Sequence, residues 1–240
     1  MPELFDMHCH LLFGVDDGPE TLEESLALLQ REYDDGVGTI YLTPHHRKGM
    51  FETPAELRLR NFELLRSRAA ECFPGLNLRL GCEVHVSMDL DLSLRDGSGL
   101  TLGDTDYLLL EFPETAGKRY LLERCHAVMA RGYRPILAHA ERCDAIRKDL
   151  QLLKQLTDMG VYIQMNAGSL IGEDGLAVKW FCRKVMRLGL LHFVGSDAHN
   201  LSSRKPNLLK CSRYLERIMG SDYRDQILCR NPMSIIEGSD

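Results

Sequence analysis

The chain has 240 residues and a formal net charge of −6, from 29 Lys and Arg against 35 Asp and Glu, with 44% hydrophobic and 27% charged residues. That length suits a single α/β barrel, typically about 250 residues, and the composition is that of an ordinary soluble globular protein, which excludes a disordered or fibrous class. The acidic balance argues against a broad basic face for nucleic acid, so any anionic substrate must be held by a local group of cations.

In chain order, apolar runs of strand length at residues 4–9, 39–43, 76–83, 107–112, 135–139, 161–166 and 192–196 alternate with segments of helical period. Thr21-Leu-Glu-Glu24 is a capping box that opens a helix stopping near Gly36, and Thr53-Pro54-Ala-Glu56 opens another with Pro in its first turn. Further helices are expected over 118–131, 144–159, 175–188 and 206–219, with Gly132, Gly160 and Gly189 as stops. Seven such units predict a mostly parallel sheet closed as a barrel, an open doubly wound sheet being the alternative, with residues 1–240 forming one domain. Trp180 reads as helix packing, and the eight cysteines, without a CxxC pair, read mostly as reduced core residues. The first ten residues include Asp6, His8 and His10 rather than a secretory leader, which predicts a cytoplasmic protein. The longest uncharged stretch of the C-terminal half, 161–172, is too short to enter a bilayer.

Chemistry-bearing residues recur at the C-terminal ends of successive predicted strands, where barrel active sites assemble. His8 and His10 end the first, His45 follows the second, Glu83 and Glu111 end the third and fourth, His139 ends the fifth, and Asp197 and His199 follow the last. Strand alternation puts His8 and His10 on one face. So many imidazoles and carboxylates at one barrel mouth would carry large desolvation and repulsion costs unless divalent cations sat among them. Two or three ions would balance the charge, and N/O donors without thiolates suit Mn, Fe or Zn. His85, sharing a face with Glu83, is a candidate contact to the site. Asn166 and Ser169 are candidate hydrogen-bonding groups, whereas His126 and His192 read as structural. Cys125-x5-Arg131 and Cys211-x5-Arg217 formally match the pattern of cysteine-dependent phosphatases. Both fall inside predicted helices without the Gly-rich loop that would aim amides at phosphate, so neither is taken as a site.

Asp6-x-His8-x-His10, Asp16-Asp17-Gly18-Pro19, Thr43-Pro44-His45, Gly81-x-Glu83, Glu111, His139-Ala-Glu-Arg142, Asn166 and Ser196-Asp197-Ala-His199-Asn200 together resemble the polymerase and histidinol phosphatase (PHP) family. The Asp-Asp-Gly-Pro turn, residues 47–52, His-x-Glu-Arg and Arg204 narrow the resemblance to the bacterial manganese-dependent tyrosine phosphatases of capsule and exopolysaccharide gene clusters. The match runs from about residue 4 to 206. It implies a distorted (βα)7 TIM-like barrel holding three divalent ions, Mn first, with Fe or Zn as alternatives. His8, His10, Glu83 and Asp197 would hold the first ion. Glu83 would bridge to a second completed by Glu111 and His139, and Asp17 rather than Asp16 would hold the third with His45 and His199.

A hydroxide bridging the first two ions would attack phosphorus, while the third ion with its ligands His45 and His199, Arg142 and Arg204 would neutralise the phosphoryl oxygens. His46 stands where this branch often has Arg, and Arg47 is the substitute. The implied partner is a phosphotyrosine protein, the tyrosine-rich tail of a membrane polysaccharide kinase. Competing readings are a small-molecule phosphatase of the histidinol phosphate type and a non-enzymatic regulator whose metal cluster stabilises the fold while 47–52 binds a partner; a nuclease ranks lower.

Overall fold

In the computed structural model, which describes residues 3–87, 90 and 101–237, the predicted capping box forms. The Glu24 amide donates to Thr21 Oγ1 and the Thr21 amide to the Glu24 carboxylate, opening helix α1 (Leu22–Asp34) with Leu28 and Leu29 on its buried face. The strands are β1 (Leu4–Cys9), β2 (Val37–Leu42), β3 (His45–His46), β4 (Asn77–Leu80), β5 (Glu83–His85), β6 (Tyr107–Glu111), β7 (Arg134–Leu137), β8 (Tyr162–Asn166) and β9 (Phe193–Gly195). Every pairing is parallel, in the orders β1-β2-β4 and β3-β5-β6-β7-β8-β9.

Two predicted strands stop short and are followed by a second short strand. The run 39–43 forms β2, and β3 follows it beyond Thr43-Pro44, where Pro44 has no N–H to give the ladder. The run 76–83 becomes β4 and β5 around Gly81-Cys82. Gly81 N donates to Leu42 O at 2.9 Å and Glu83 N to Pro44 O at 3.1 Å, so the two sheets continue one another across the breaks. At the other edge, Asp197 N donates to His8 O and His10 N to Ala198 O, both at 2.8 Å. The chain after β9 is thereby tied to β1, and the whole is an α/β fold around a curled parallel sheet. Gly195 makes this contact possible, since a Cβ there would lie 2.4 Å from His8 Cβ and 2.9 Å from its backbone N and O.

The sheet's helix-facing side packs into one large core containing Leu28, Leu65, Leu121, Leu152 and Val185. A smaller cluster joins Phe5, Met7, Tyr41, Tyr107, Leu109, Ile136 and Phe193 from successive strands with Ile235 of the last helix. The remaining helices are α2 (Ala55–Cys72), α3 (Lys118–Met129), α4 (Asp144–Lys148), α5 (Leu150–Asp158), α6 (Ala167–Ile171), α7 (Leu176–Arg187), α8 (Leu208–Met219), α9 (Ser221–Asp225) and α10 (Asn231–Glu237). The helix expected over 144–159 is interrupted at Asp149, which is extended (φ −137°) and caps the Gln151 amide. A π-helical turn, Gln226–Arg230, links α9 to α10, and neither helix was foreseen in the sequence.

Trp180 is a correction. It is 57% exposed and stacks with Arg183 on the outside of α7 rather than packing inward. All eight cysteines are free and seven are buried, Cys72 being exposed. Burial pushes the Cys125 thiol up to about 12 and raises that of Cys211 further, which leaves neither Cys-x5-Arg motif a nucleophile. Among the described residues no helix is long and apolar enough to cross a membrane.

Candidate active site

The residues expected to carry chemistry meet at the C-terminal ends of the strands. Parallel register sets His45 of β3 beside Glu83 of β5, and His85 of β5 beside Glu111 of β6. His8 and His10, at the end of β1, bring their Nε2 atoms to 3.1 Å of one another, and Glu83 Oε2 lies 3.4 Å from the first and 3.3 Å from the second. Asp197 Oδ1 completes this group at 3.8 and 3.6 Å from the same nitrogens. His139 Nε2 sits 2.6 Å from Glu83 Oε1, and His45 Nδ1 2.9 Å from Glu83 Oε2. Asp17 Oδ1 faces His199 Nε2 at 3.3 Å and His45 Nε2 at 3.5 Å.

Three sets of donor atoms are close enough to share an ion: His8, His10 and Asp197; His10, Asp17, His45 and His199; and His45, Glu83 and Glu111. His45 therefore joins two groups, and Glu111 converges with His45 as well as with the Glu83 it was expected to accompany. Glu111 also accepts from His85 Nδ1 at 2.9 Å, which brings His85 into the site.

What surrounds the imidazoles fits metal binding. His8 Nδ1 faces Gln164 Oε1 at 3.3 Å, His10 Nδ1 faces Asp16 Oδ2 at 2.7 Å, and His199 Nδ1 faces the Asp197 carbonyl at 2.9 Å. Each acceptor engages Nδ1 and leaves Nε2 turned into the cluster, the arrangement that supports a ligating histidine. Two atoms of the cluster, His199 Nε2 and Glu83 Oε2, are buried without a hydrogen-bond partner, a costly state that a cation would relieve. Gln164 also accepts from the His139 amide at 2.7 Å, so one amide side chain orients two histidines. Asp16 further accepts from the amides of Gly18 and His45 at 3.0 and 2.9 Å, which commits it to the turn and leaves Asp17 facing the cluster.

Without ions the site is electrostatically tense. Burial works against a charged His10, but Asp16 and Glu83 outweigh it and raise the imidazole pKa to about 10. Burial likewise opposes ionisation of Glu83, yet His8 and His139 hold its carboxyl well below the usual range. Asp197 is lowered against its burial by His8 and Arg142. Asp17 is held below the usual carboxylate range first by the His199 imidazole it faces.

Two backbone features aim side chains of the cluster. His139 (φ 31°) and Asp197 (φ 53°) are the non-glycine residues with left-handed backbone among those described, each just past the end of a strand. This conformation costs on the order of 1–2 kcal/mol per residue and is kept where surrounding contacts fix it. The Asp197 turn is held from below. Ser196 donates from N and Oγ to the Asp6 carboxylate at 2.9 and 2.5 Å, and Asn166 Nδ2 donates to Asp197 Oδ2 at 2.7 Å. Beneath Asp6 lies Glu32 of α1, fully buried, whose pKa burial and the Asp6 charge raise well above the normal value.

At the rim, Arg142 Nη2 lies 2.9 Å from Asp197 Oδ2, and Arg204 reaches Asp197 Oδ1 at 2.9 Å and Asp17 Oδ2 at 3.3 Å. Both guanidiniums are about a third exposed, so each presents N–H groups outward. Arg47 and Phe51 pair backbones across a tight turn with Gly49 at φ 76°, and the Phe51 ring stacks on His45 with centroids 5.1 Å apart. Arg47, His85, Glu111, Phe112, His139 and Arg142 line a pocket of about 270 Å³ beside the cluster.

Gln164 and Glu32 were not singled out in the sequence, and Asp6 and Ser196 stood there in motifs without an assigned role. Gln164 and Glu32 carried a signal, each being a polar residue on an otherwise apolar buried stripe of its strand or helix. Of the residues read as bland, His192 accepts the Ile163 amide away from the cluster, and His126 is exposed on α3.

Fold and site together define a barrel-type α/β protein with candidate metal-binding clusters at the strand ends. At the level of fold alone, the phosphotriesterase homology protein from Escherichia coli is similar, with a TM-score of 0.65 at 12% identity over 98% of each chain. More specifically, residues 4–237 match the family model for capsular polysaccharide synthesis proteins CpsB/CapC, and the chain belongs to that family. The Streptococcus agalactiae tyrosine-protein phosphatase CpsB is 34% identical over 239 residues, covering 98% of both chains. The chain is also similar to a solved structure from work on Bacillus subtilis YwqE and Streptococcus pneumoniae CpsB, described as unique metal-dependent tyrosine phosphatases. The TM-score there is 0.90 at 30% identity, covering 99% of this chain and 96% of the other.

Proposed function

We propose that this chain is a metal-dependent protein-tyrosine phosphatase, a phosphoric monoester hydrolase acting in capsule or exopolysaccharide synthesis. The observation that carries the reading is the set of three histidines whose Nδ1 atoms are engaged while their Nε2 atoms face one carboxylate-rich centre. Counting each interrupted strand once, the sheet reads as a (βα)7 barrel in a single domain. Its mouth would hold three ions, Mn or alternatively Fe or Zn: the first on His8, His10, Glu83 and Asp197, the second on Glu83, Glu111 and His139, the third on Asp17, His45 and His199. Bound ions would supply activation of the attacking water and neutralisation of phosphoryl charge.

The chain's own residues do the rest. Arg142 and Arg204, held on Asp197 from opposite sides, turn their remaining N–H groups toward phosphate oxygens, a geometry the planar guanidinium suits. The pocket beside Phe112 and Arg142 receives the phosphorylated ring, while the Phe51 ring shields His45 from solvent. The tyrosyl oxygen leaves readily because a phenol pKa of about 10 demands little proton transfer in the transition state. This reading has the protein in the cytoplasm and its substrate as the tyrosine-rich tail of a membrane-bound polysaccharide kinase.

The test is a panel of phosphotyrosine peptide, phosphoserine peptide and histidinol phosphate with the Mn-loaded protein. A kcat/KM at least tenfold higher for the phosphotyrosine peptide is expected, and preference for histidinol phosphate refutes the assignment. Absence of all turnover with bound Mn would favour the regulatory reading.

A further inference from the structure

A cleft of about 490 Å³ runs down the outside of the barrel beside α8. Arg31, Lys179, Lys205, Lys210, Arg213 and Arg217 line it against two carboxylates, Asp35 and Glu173, an excess of four positive charges in a protein whose net charge is −6. Three of these cations have acidic neighbours: Lys210 lies 2.9 Å from Glu173 and Arg31 3.5 Å from Asp35, and Arg213 also faces the Asp35 carboxylate. Lys179 of α7 and Arg217 of α8 both stack on Tyr214, and the Lys179 ammonium also donates to the Ile171 carbonyl at 2.8 Å. Ile171, Pro206 and Leu209 add apolar floor between them.

The cleft is continuous with the active site. Glu173, Lys205 and Asn207 belong both to it and to the adjoining pocket, whose other walls include Arg142, Asp174, Asp197 and Arg204. Lys205 directly follows Arg204, the residue bonded to Asp197. Like-charge repulsion makes such a concentration of cations costly unless an anionic partner uses it, and clefts focus the field of the charges that line them. From Leu208, where α8 begins, to Arg217 on its last turn, the wall is about 14 Å long at 1.5 Å per helical residue, with Lys205 beyond it at the rim. That length matches roughly four residues of extended polypeptide at about 3.3 Å each.

Resting on the phosphatase reading, we propose that this cleft binds an acidic segment of about four residues flanking the substrate phosphotyrosine and so sets which tyrosines are cleaved. The occupant is a polypeptide rather than another polyanion because the cleft opens into the site where a peptide side chain is held, and its floor alternates aliphatic and charged groups. The phosphoryl group is held by Arg142 and Arg204, and the flanking carboxylates by Lys205, Lys210, Arg213 and Arg217. Only binding is involved; no bond is made or broken in the cleft.

The experiment compares a phosphotyrosine peptide flanked on either side by four Glu with its Gln counterpart, using the metal-loaded wild type and the Arg213→Glu/Arg217→Glu double variant. Turnover of p-nitrophenyl phosphate in both proteins is the internal standard. For the wild type, kcat/KM should be about tenfold higher for the Glu peptide, in KM rather than kcat, since each exposed ion pair contributes a factor of up to about five. In the double variant the Glu peptide should lose that advantage relative to p-nitrophenyl phosphate, and 0.5 M salt should erase it in the wild type. An Arg213→Gln/Arg217→Gln variant gives the same comparison if charge reversal disturbs folding.

Anisotropy of a labelled, unphosphorylated Glu peptide reads the cleft independently of catalysis. Variant-sensitive binding without any phosphotyrosine turnover would sustain the cleft while defeating the phosphatase reading. Equal Glu and Gln preference in wild type and variant overturns the cleft proposal, as does tighter binding of a single-stranded oligonucleotide than of the peptide.

Discussion

Asp16 and Asp17 are adjacent and chemically identical, and the structure gives them different work, so their amides should fail differently. Asp16 is buried and makes three bonds: 2.7 Å to His10 Nδ1, 2.9 Å to the His45 amide and 3.0 Å to the Gly18 amide. Asp17 is 44% exposed and turns Oδ1 to the Nε2 atoms of His199 and His45. Asp16→Asn removes the charge that orients His10 while leaving every proposed ligand in place. Loss of such an orienting partner weakens metal affinity about 10- to 100-fold, or about 1.4–2.7 kcal/mol, without deleting an ion. Asp17→Asn removes a donor, so the number of ions bound should fall by one. Equilibrium dialysis against Mn with elemental analysis gives stoichiometry and affinity, and p-nitrophenyl phosphate turnover at saturating Mn gives activity. Asp16→Asn should regain most of its activity at high Mn and Asp17→Asn should not. If Asp16→Asn binds one ion fewer while Asp17→Asn binds the full complement, the ligand assignment and the reasoning from hydrogen-bond commitment are both wrong.

Gly195→Ala should be among the most damaging single-methyl additions, because its Cβ would overlap His8; a melting-temperature drop corresponding to about 3 kcal/mol or more is expected, with loss of bound Mn. The His10 pKa, raised to about 10 in the metal-free protein, means a proton competes with the ion. Apparent Mn affinity should therefore rise by up to about tenfold per pH unit between pH 7 and 9 in metal titrations. For the metal-free protein the sign reverses: the stability from His10⁺ is fully present below the unfolded value of 6.5 and lost as pH rises through about 10, so its melting temperature should decline over that window. Glu32 also has a raised pKa, so stability present below about pH 4.5 drains away as pH rises toward its folded value. Glu32→Gln, neutral at every pH, should flatten melting temperature against pH, and an unchanged slope would show that Glu32 does not bury a proton.

The fold was legible where a local rule acted alone. The Thr21 capping box and the β-then-α alternation needed nothing beyond their own spacing, and the strand-end positions of His8, Glu83, Glu111 and Asp197 pointed to a common mouth. What escaped the reading depends on partners distant in sequence. Pro44 breaks a strand only because a neighbouring ladder needs its N–H, and Asp149 ends one helix and caps the next where periodicity runs straight through. Trp180 looked like core on residue type, yet its face of α7 has no layer to pack against. Gln164 was visible as a polar residue in an apolar strand, but its service to both His8 and His139 appears only once the curled sheet brings the ends of β1 and β7 to β8.

The ligands' origins along the chain make assembly of the site and closure of the fold one event. His8 and His10 come from the first strand, Asp197 and His199 from just beyond the last, and the hydrogen bonds that bring them together tie β1 to the chain after β9, between His8 O and Asp197 N and between Ala198 O and His10 N. Asp6 and Ser196 repeat this closure one layer down. Separating the two ends therefore dissolves the cluster, and an ion gripping both ends opposes that separation. Metal held at a hundredfold over its dissociation constant should stabilise the native state by about 2.7 kcal/mol per site, with the protection greatest in β1 and the turn after β9. The left-handed conformations of His139 and Asp197 fit the same logic, since backbone strain at a ligand is retained where the contacts made on closure exceed its cost.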